Sequence, residues 1–228
     1  MPWGRPRSDG VSVEVEVFVI IRRVLVSLVV MVLSAHSFIG AALSQEGPRL
    51  PTPEPVTVDR ATTALLILDM STRCNEPGNV CHELAPVLAS FLPRARASGI
   101  LIIYTVSASA QGTPLGETWP GFERQPGEIV VYPDGFDKFH GPELRDVLQA
   151  HGINRVIITG ASANQAVLYT VSGGARNWRF DIVLPLDGTM ADSTYEYEYT
   201  LHQLNRIQGS GGIMPFAFTT LDLLEFAP

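Results

Sequence analysis

The sequence predicts one α/β domain of three layers, α/β/α, around a mostly parallel, Rossmann-like sheet. Three observations carry that expectation. Continuous apolar runs, "TALLILDM" (63–70), "ILIIYTV" (100–106) and "RVIITG" (155–160), suit strands buried on both faces. Between them lie stretches with apolar residues at helical spacing. Run and helix alternate along the chain, the order that yields parallel strands joined by right-handed crossovers.

After the first run, Leu84, Val87, Leu88, Phe91 and Leu92 mark one face of a helix, and Gly99 stands where a C-cap glycine belongs. Pro86 falls where a helix tolerates it, whereas Pro93 predicts a kink or an early end. Residues 107–138 are irregular and rich in Gly, Pro and aromatics, with a short strand at "EIVVY" (128–132). Long loops of this kind are usually functional or mobile. "GPELRDVLQAHG" (141–152) reads as a helix opened by Pro142 and closed by Gly152. The run ending at Gly160 leads through a small-residue turn into a helix beginning near Asn164, where Gly173 and Gly174 permit close packing on the sheet. "FDIVLPLDG" (180–188) is a further strand. "YEYEYTLHQLNR" (195–206) fits two patterns, alternation at Tyr195, Tyr197 and Tyr199 or a helical face at Tyr199, His202 and Arg206; the βα order before it selects helix. "FAFTTLDLL" (216–224) supplies a last short strand or edge.

The N-terminal segment has a different character. Arg22 and Arg23 precede an apolar run that closes on small residues, with Ala42 and Ser44 fitting an export-signal cleavage site. The alternative is a retained anchor, because Val24–Leu43 is long enough to span a bilayer. The organisation expected is therefore an export signal or membrane anchor at 1–44, a Pro-rich linker at 45–62 and the folded domain at 63–228, in an exported, periplasmic or secreted protein. Contact with a membrane is expected only through that first segment. The net charge of −7 excludes the basic footprint of a nucleic-acid binder. Export would place Cys74 and Cys81 in an oxidising compartment, where they can bridge and add about 2–3 kcal/mol. A reactive Cys74 and two inert thiols are the competing readings. With only His82 close by, zinc is not expected.

In such sheets ligands gather at the carboxyl ends of the strands, so Asp69, Val106 and Gly160 should line one crevice. The turn "GASANQAVLYT" (160–170) suits a site, yet Gln165, Ala166 and Val167 offer no nucleophile. Asn164 and Gln165 can hydrogen-bond a ligand, although Asn is also a common N-cap. Trp119, Phe122, Tyr132 and Phe136 form either a pocket wall or satellite packing. His202 reads as structural, and Asp187 as a residue orienting loops at the same sheet edge.

Together "ALLILDM", "GPELRDVLQAHGINRVIITGASANQAVLYTVSGGA" and "FDIVLPLDG" resemble the isochorismatase-like hydrolases, a superfamily that includes nicotinamidases and other amidases. The resemblance runs roughly from Thr63 to Leu224. It implies a catalytic Asp, Lys and Cys. Asp69 matches the Asp, and the Cys slot before Val167 and Thr170 holds Ala166. Lys138 either reaches into the site from a shortened loop or stays at the surface as an ordinary lysine. The resemblance also implies oxyanion donors at the backbone N–H groups of Ser162 and Ala166, and a cis peptide at Ala161–Ser162. The family's Asp-and-His metal set finds no match, so no metal and no cofactor are expected. Candidate substrate contacts are Ser162, Asn164, Gln165, Trp119 and Phe136.

Amide hydrolysis by a thiolate needs a lone pair that a methyl group lacks. Cleavage of a vinyl ether asks only for an acid that protonates the double bond, and burial at a strand end favours a neutral Asp69; the plainer role for Asp69 is a strand-end cap. The expectation is an exported, homo-oligomeric hydrolase of a small molecule that uses Asp69 and a backbone oxyanion site without a cysteine. Two alternatives stand beside it: a binding relative that has lost catalysis, and an amidase with Cys74 as a relocated thiol.

Overall fold

The structure, a computed structural model, describes residues 22–23, 50–117 and 122–228. Apart from the helical pair Arg22 and Arg23, the expected export segment lies outside the described residues, as does Trp119. The chain divides into two units, and the domain is the second, Pro48–Pro228. Among the described residues no helix is long and apolar enough to cross a membrane.

The apolar runs form the strands β2 (Thr63–Leu68), β3 (Leu101–Thr105), β5 (Arg155–Ala161) and β6 (Asp181–Pro185). With β4 (Ile129–Val131), β7 (Thr189–Met190) and β8 (Phe216–Thr219) they make one seven-stranded sheet in the order β4-β3-β2-β5-β6-β8, with β7 pairing β5. Every pairing in it is parallel. Alternation along β2 sends its side chains to two cores. Leu65 and Ile67 face α1 (Leu84–Ser98), while Ala64, Leu66 and Leu68 face α2 (Glu143–Ala150), α3 (Leu168–Asn177) and α4 (Thr194–Ile207). All six β2 residues are buried, and each large one contributes about 1.5–3 kcal/mol. The result is the three-layer α/β fold expected.

Three local outcomes differ from or sharpen the sequence reading. Of the kink or early end expected at Pro93, the early end does not occur: helix α1 runs through it and stops at Gly99, whose φ is +76°. Pro93 lies on the exposed face, where a carbonyl deprived of its donor can turn to water while Phe91, Leu92 and Ala95 stay packed. The tyrosine-rich segment is helical because Ser193 caps it: its Oγ accepts from the Glu196 N–H at 3.2 Å and donates to Glu196 Oε2 at 2.9 Å. The third difference lies in the segment read as a linker. Val56–Asp59 forms β1, which pairs in parallel with β9 (Leu224–Ala227) and buries Val58 completely. Just before it, the Glu54 N–H reaches the Phe218 carbonyl on the edge of β8 at 2.9 Å.

At the centre of the sheet, Leu68 of β2 stands beside Gly160 of β5. Gly160 has φ +111°, and a Cβ there would lie 2.2 Å from the Leu68 carbonyl oxygen and 2.6 Å from its nitrogen. Strand β5 can come this close to Leu68 in such a conformation only because the position carries no side chain. Gly160→Ala should therefore cost about 3 kcal/mol of unfolding free energy, from strain and overlap together. Urea denaturation measures this, and an unchanged midpoint would contradict the close approach.

Candidate active site

Asp69 follows the last residue of β2 and takes a left-handed backbone conformation, φ +53°, which Asp tolerates better than most residues. Its N–H still bonds the Thr105 carbonyl of β3 at 2.9 Å, and its own carbonyl accepts from the Ser71 N–H at 3.0 Å. The chain thus turns sharply and presents the carboxylate at the strand end. Asp69 Oδ2 lies 2.7 Å from Lys138 Nζ. The lysine side chain is 1% exposed and that of Asp69 28% exposed. Of the two readings of Lys138, the structure adopts the inward one.

The loop before α2 holds Lys138 in place. The Lys138 N–H donates to Thr170 Oγ1 at 3.1 Å, and the Thr170 hydroxyl donates to the Phe136 carbonyl at 3.3 Å. Lys138 Nζ also donates to the Gly135 carbonyl at 3.2 Å, and the Phe139 N–H caps Asp137 Oδ1 at 2.8 Å. Gly173 and Gly174 of α3 make the approach feasible: a Cβ on either would overlap the Asp137 carboxylate or the Phe139 ring. Burial pushes the Asp69 carboxyl above the ordinary carboxylate range, although the charge and hydrogen bond of Lys138 pull the other way. Asp69 Oδ1 is buried and meets no protein partner.

Facing Asp69 is the turn after β5. The Ala161–Ser162 peptide is cis. The Ser162 carbonyl accepts from the Gln165 N–H at 3.0 Å and the Val167 N–H at 3.3 Å, which leaves the Ala166 N–H off that oxygen. Residues Ala163–Val167 form one π-helical turn leading into α3. Ala166 is buried, and the hydroxyl of Ser162 is buried without a partner. Asp69, Ser162, Gln165, Ala166 and Phe136 all line one cleft of about 360 Å³. Phe136 is half-exposed at its rim and stacks on Tyr169, centroids 6.0 Å apart.

Other candidates fall elsewhere. Asn164 lies off the cleft, and its amide oxygen is buried without a partner. Phe122 is core packing, edge-on to Tyr104, and Asp187 accepts the Leu221 N–H at 2.8 Å. Cys74 and Cys81 are joined as a disulfide, with Cα atoms 4.9 Å apart. Cys74 is fully buried, and its sulfur is bonded to Cys81 rather than free to attack. The sequence reading missed the part played by Thr170. Its signal is its place one turn after Ala166, on the face of α3 that meets the Lys138 loop.

The model of the Isochorismatase domain family matches residues 63–213. The ureidoacrylate amidohydrolase RutB of Caulobacter vibrioides is 26% identical over 181 residues, covering 58% of this chain and 79% of that enzyme. RutB of Stutzerimonas stutzeri is 26% identical over 204 residues, covering 69% and 79%. Among solved structures, an isochorismatase family protein from Desulfovibrio vulgaris superposes with a TM-score of 0.60 at 23% identity, covering 71% of this chain and 95% of that one. The nicotinamidase SaPncA of Staphylococcus aureus superposes with a TM-score of 0.55 at 21% identity, covering 68% and 97%. At these identities the two structures bear on the fold alone.

Two stability measurements check this geometry. Replacing both cysteines by Ala should lower the unfolding free energy by about 2–3 kcal/mol, the loop-closure value for a short loop, and urea midpoints equal to wild type would contradict a formed bridge. Lys138→Met strands the carboxylate and should cost about 2–3 kcal/mol at neutral pH. The sign with pH follows from the raised Asp69 pKa, which the variant raises further. A folded state that holds its proton more tightly than the unfolded chain gains stability at low pH and loses it as pH rises through the folded pKa. The deficit of Lys138→Met should therefore shrink on acidification, and a deficit constant with pH would contradict the pairing.

Proposed function

This chain belongs to the isochorismatase family, and from that premise we propose that it is a small-molecule hydrolase that works through Asp69 without a cysteine nucleophile. Its relatives named above are hydrolases, and the family's nucleophile slot, as the sequence resemblance assigns it, holds Ala166. The observation that carries the reading is the pairing of buried Lys138 with Asp69, a carboxyl that burial pushes above its ordinary range and that lines a cleft whose facing turn offers a methyl group.

That arrangement suits acid-initiated cleavage of an activated double bond such as a vinyl ether. The Asp69 carboxyl gives its proton to the terminal alkene carbon, and the π electrons form the new C–H bond. Positive charge develops on the carbon bearing the ether oxygen. Water adds there and returns a proton to the Asp69 carboxylate. The resulting hemiketal then collapses to a carbonyl and an alcohol. Lys138 stabilises the carboxylate while it lacks its proton, and the Ser162 and Ala166 N–H groups hold an oxygen or anionic group of the substrate. Backbone donors of this kind contribute about 10²–10³ in rate. Amide hydrolysis by a thiolate has no counterpart in this cleft.

Export belongs to the same proposal. The Cys74–Cys81 bridge supports an oxidising compartment, in keeping with the signal-like N-terminal segment. A homo-oligomer is proposed on family resemblance alone. The methyl group of Ala166 also favours a second reading, a ligand-binding relative without turnover. A ligand that raises the melting temperature by mass action and yields no product would select that reading.

Assays against vinyl ethers, esters and small amides test the main reading. Asp69→Asn should lower kcat at least about 100-fold, and equal activity in variant and wild type would remove Asp69 from the mechanism. Because the acid must carry its proton, kcat/KM should fall as pH rises through the raised Asp69 pKa. Lys138→Met should move that fall to higher pH, since both influences that lower the Asp69 pKa come from the lysine.

A further inference from the structure

Beyond Asp69, the cleft is lined by one cationic side chain, Arg73, and one anionic side chain, Asp192. Among the described residues neither makes an ion pair or a side-chain hydrogen bond, with each other or with any neighbour. Asp69 and Lys138 neutralise one another at the floor. The unspent charge of the cleft is therefore a guanidinium and a carboxylate at separate places.

Arg73 sits on a short helical turn, Thr72–Asn75, between Asp69 and α1. The Cys74–Cys81 bridge clasps this turn, and Thr72 Oγ1 ties it to the Pro114 carbonyl at 3.0 Å. Asn79 and Cys81 of the same clasped loop line the cleft beside it. Asp192 follows β7 and immediately precedes Ser193, the cap of α4. Its charge is favoured there by the helix dipole. Arg73 lies in the segment that leads into α1, which packs on one face of the sheet, and Asp192 in the segment that leads into α4, which packs on the other. Ser162, whose Oγ is buried and unpartnered, lines the same cleft.

We infer that this cleft is polarised and selects a small substrate carrying a carboxylate, read by Arg73, and an N–H donor, read by Asp192. The inference rests on the proposed hydrolase reading and names its substrate class. A guanidinium offers a planar pair of donors matched to a carboxylate, and a carboxylate accepts only from N–H or O–H groups. Such a molecule can lie in only one direction across the floor, which would set the group that Asp69 meets.

Equilibrium titration of the full chain with three matched probes tests this without turnover: N-acetylglycine, its methyl ester, and O-acetylglycolate, in which oxygen replaces the N–H. Wild type should bind N-acetylglycine about tenfold more tightly than either analogue. Arg73→Gln should abolish the preference over the ester and keep the preference over O-acetylglycolate, and Asp192→Asn should do the reverse. Thermal unfolding of both variants checks that they fold. Equal binding of acid and ester by wild type, retention of either preference in the variant that should lose it, or no binding of any probe overturns the inference. Because binding is the readout, inactivity of Asp69→Asn, or its lack of effect on turnover, bears on the hydrolase reading and leaves this result standing.

Discussion

A lysine with 1% of its side chain exposed cannot stand alone, and the contact between Lys138 and Asp69 organises everything around it. A buried ammonium costs several kcal/mol unless an opposite charge and further acceptors surround it. Asp69 supplies the charge, and the Gly135 carbonyl supplies an acceptor. To bring the lysine there, the loop before α2 is stitched to Thr170 and packed against two glycines of α3. To bring the aspartate there, the chain takes an uncommon backbone conformation one residue past a fully buried strand. Asp69 is fixed by the end of β2 and Lys138 by a loop tied to α3, so the carboxylate is held in place before any ligand arrives.

The sheet order makes the second half of the site. Strands β2 and β5 are neighbours at the centre, with Leu68 in register with Gly160. The residue after each strand therefore comes to the lining of the same cleft, although Asp69 and Ser162 are far apart in sequence. Gly160 keeps the two strands close at this end, since any Cβ would strike the Leu68 backbone. The disulfide-clasped turn and the residue before the cap of α4 also line the cleft.

The fold was legible because buried parallel strands and amphipathic helices write strong, local patterns. Asp69, the turn before α3 and the bridge between Cys74 and Cys81 could be picked out on the same basis, by position at a strand end or by chemistry. What stayed illegible depends on long-range packing. Whether Lys138 turned inward hinged on Thr170, Gly173 and Gly174, none of which signals a lysine partner by itself. Pro93 was read by its local rule, which is blunted where its neighbours pack and its own position faces water. Strand β1 was hidden because four residues after a Pro-rich stretch make no pattern alone and gain one only from β9. Arg73 and Asp192 are ordinary surface charges in the sequence, and only the fold brings both to the lining of one cleft.

The β1–β9 ladder joins residues 168 positions apart, as Thr57 and Glu225 show with a direct side-chain contact. A strand made early in synthesis must wait for one made late, and closing so long a loop is slow compared with local pairing. Until β9 has been made, Val58 lacks the strand that pairs with it. The two ends of the domain are therefore locked together by a pairing that only the finished chain can make.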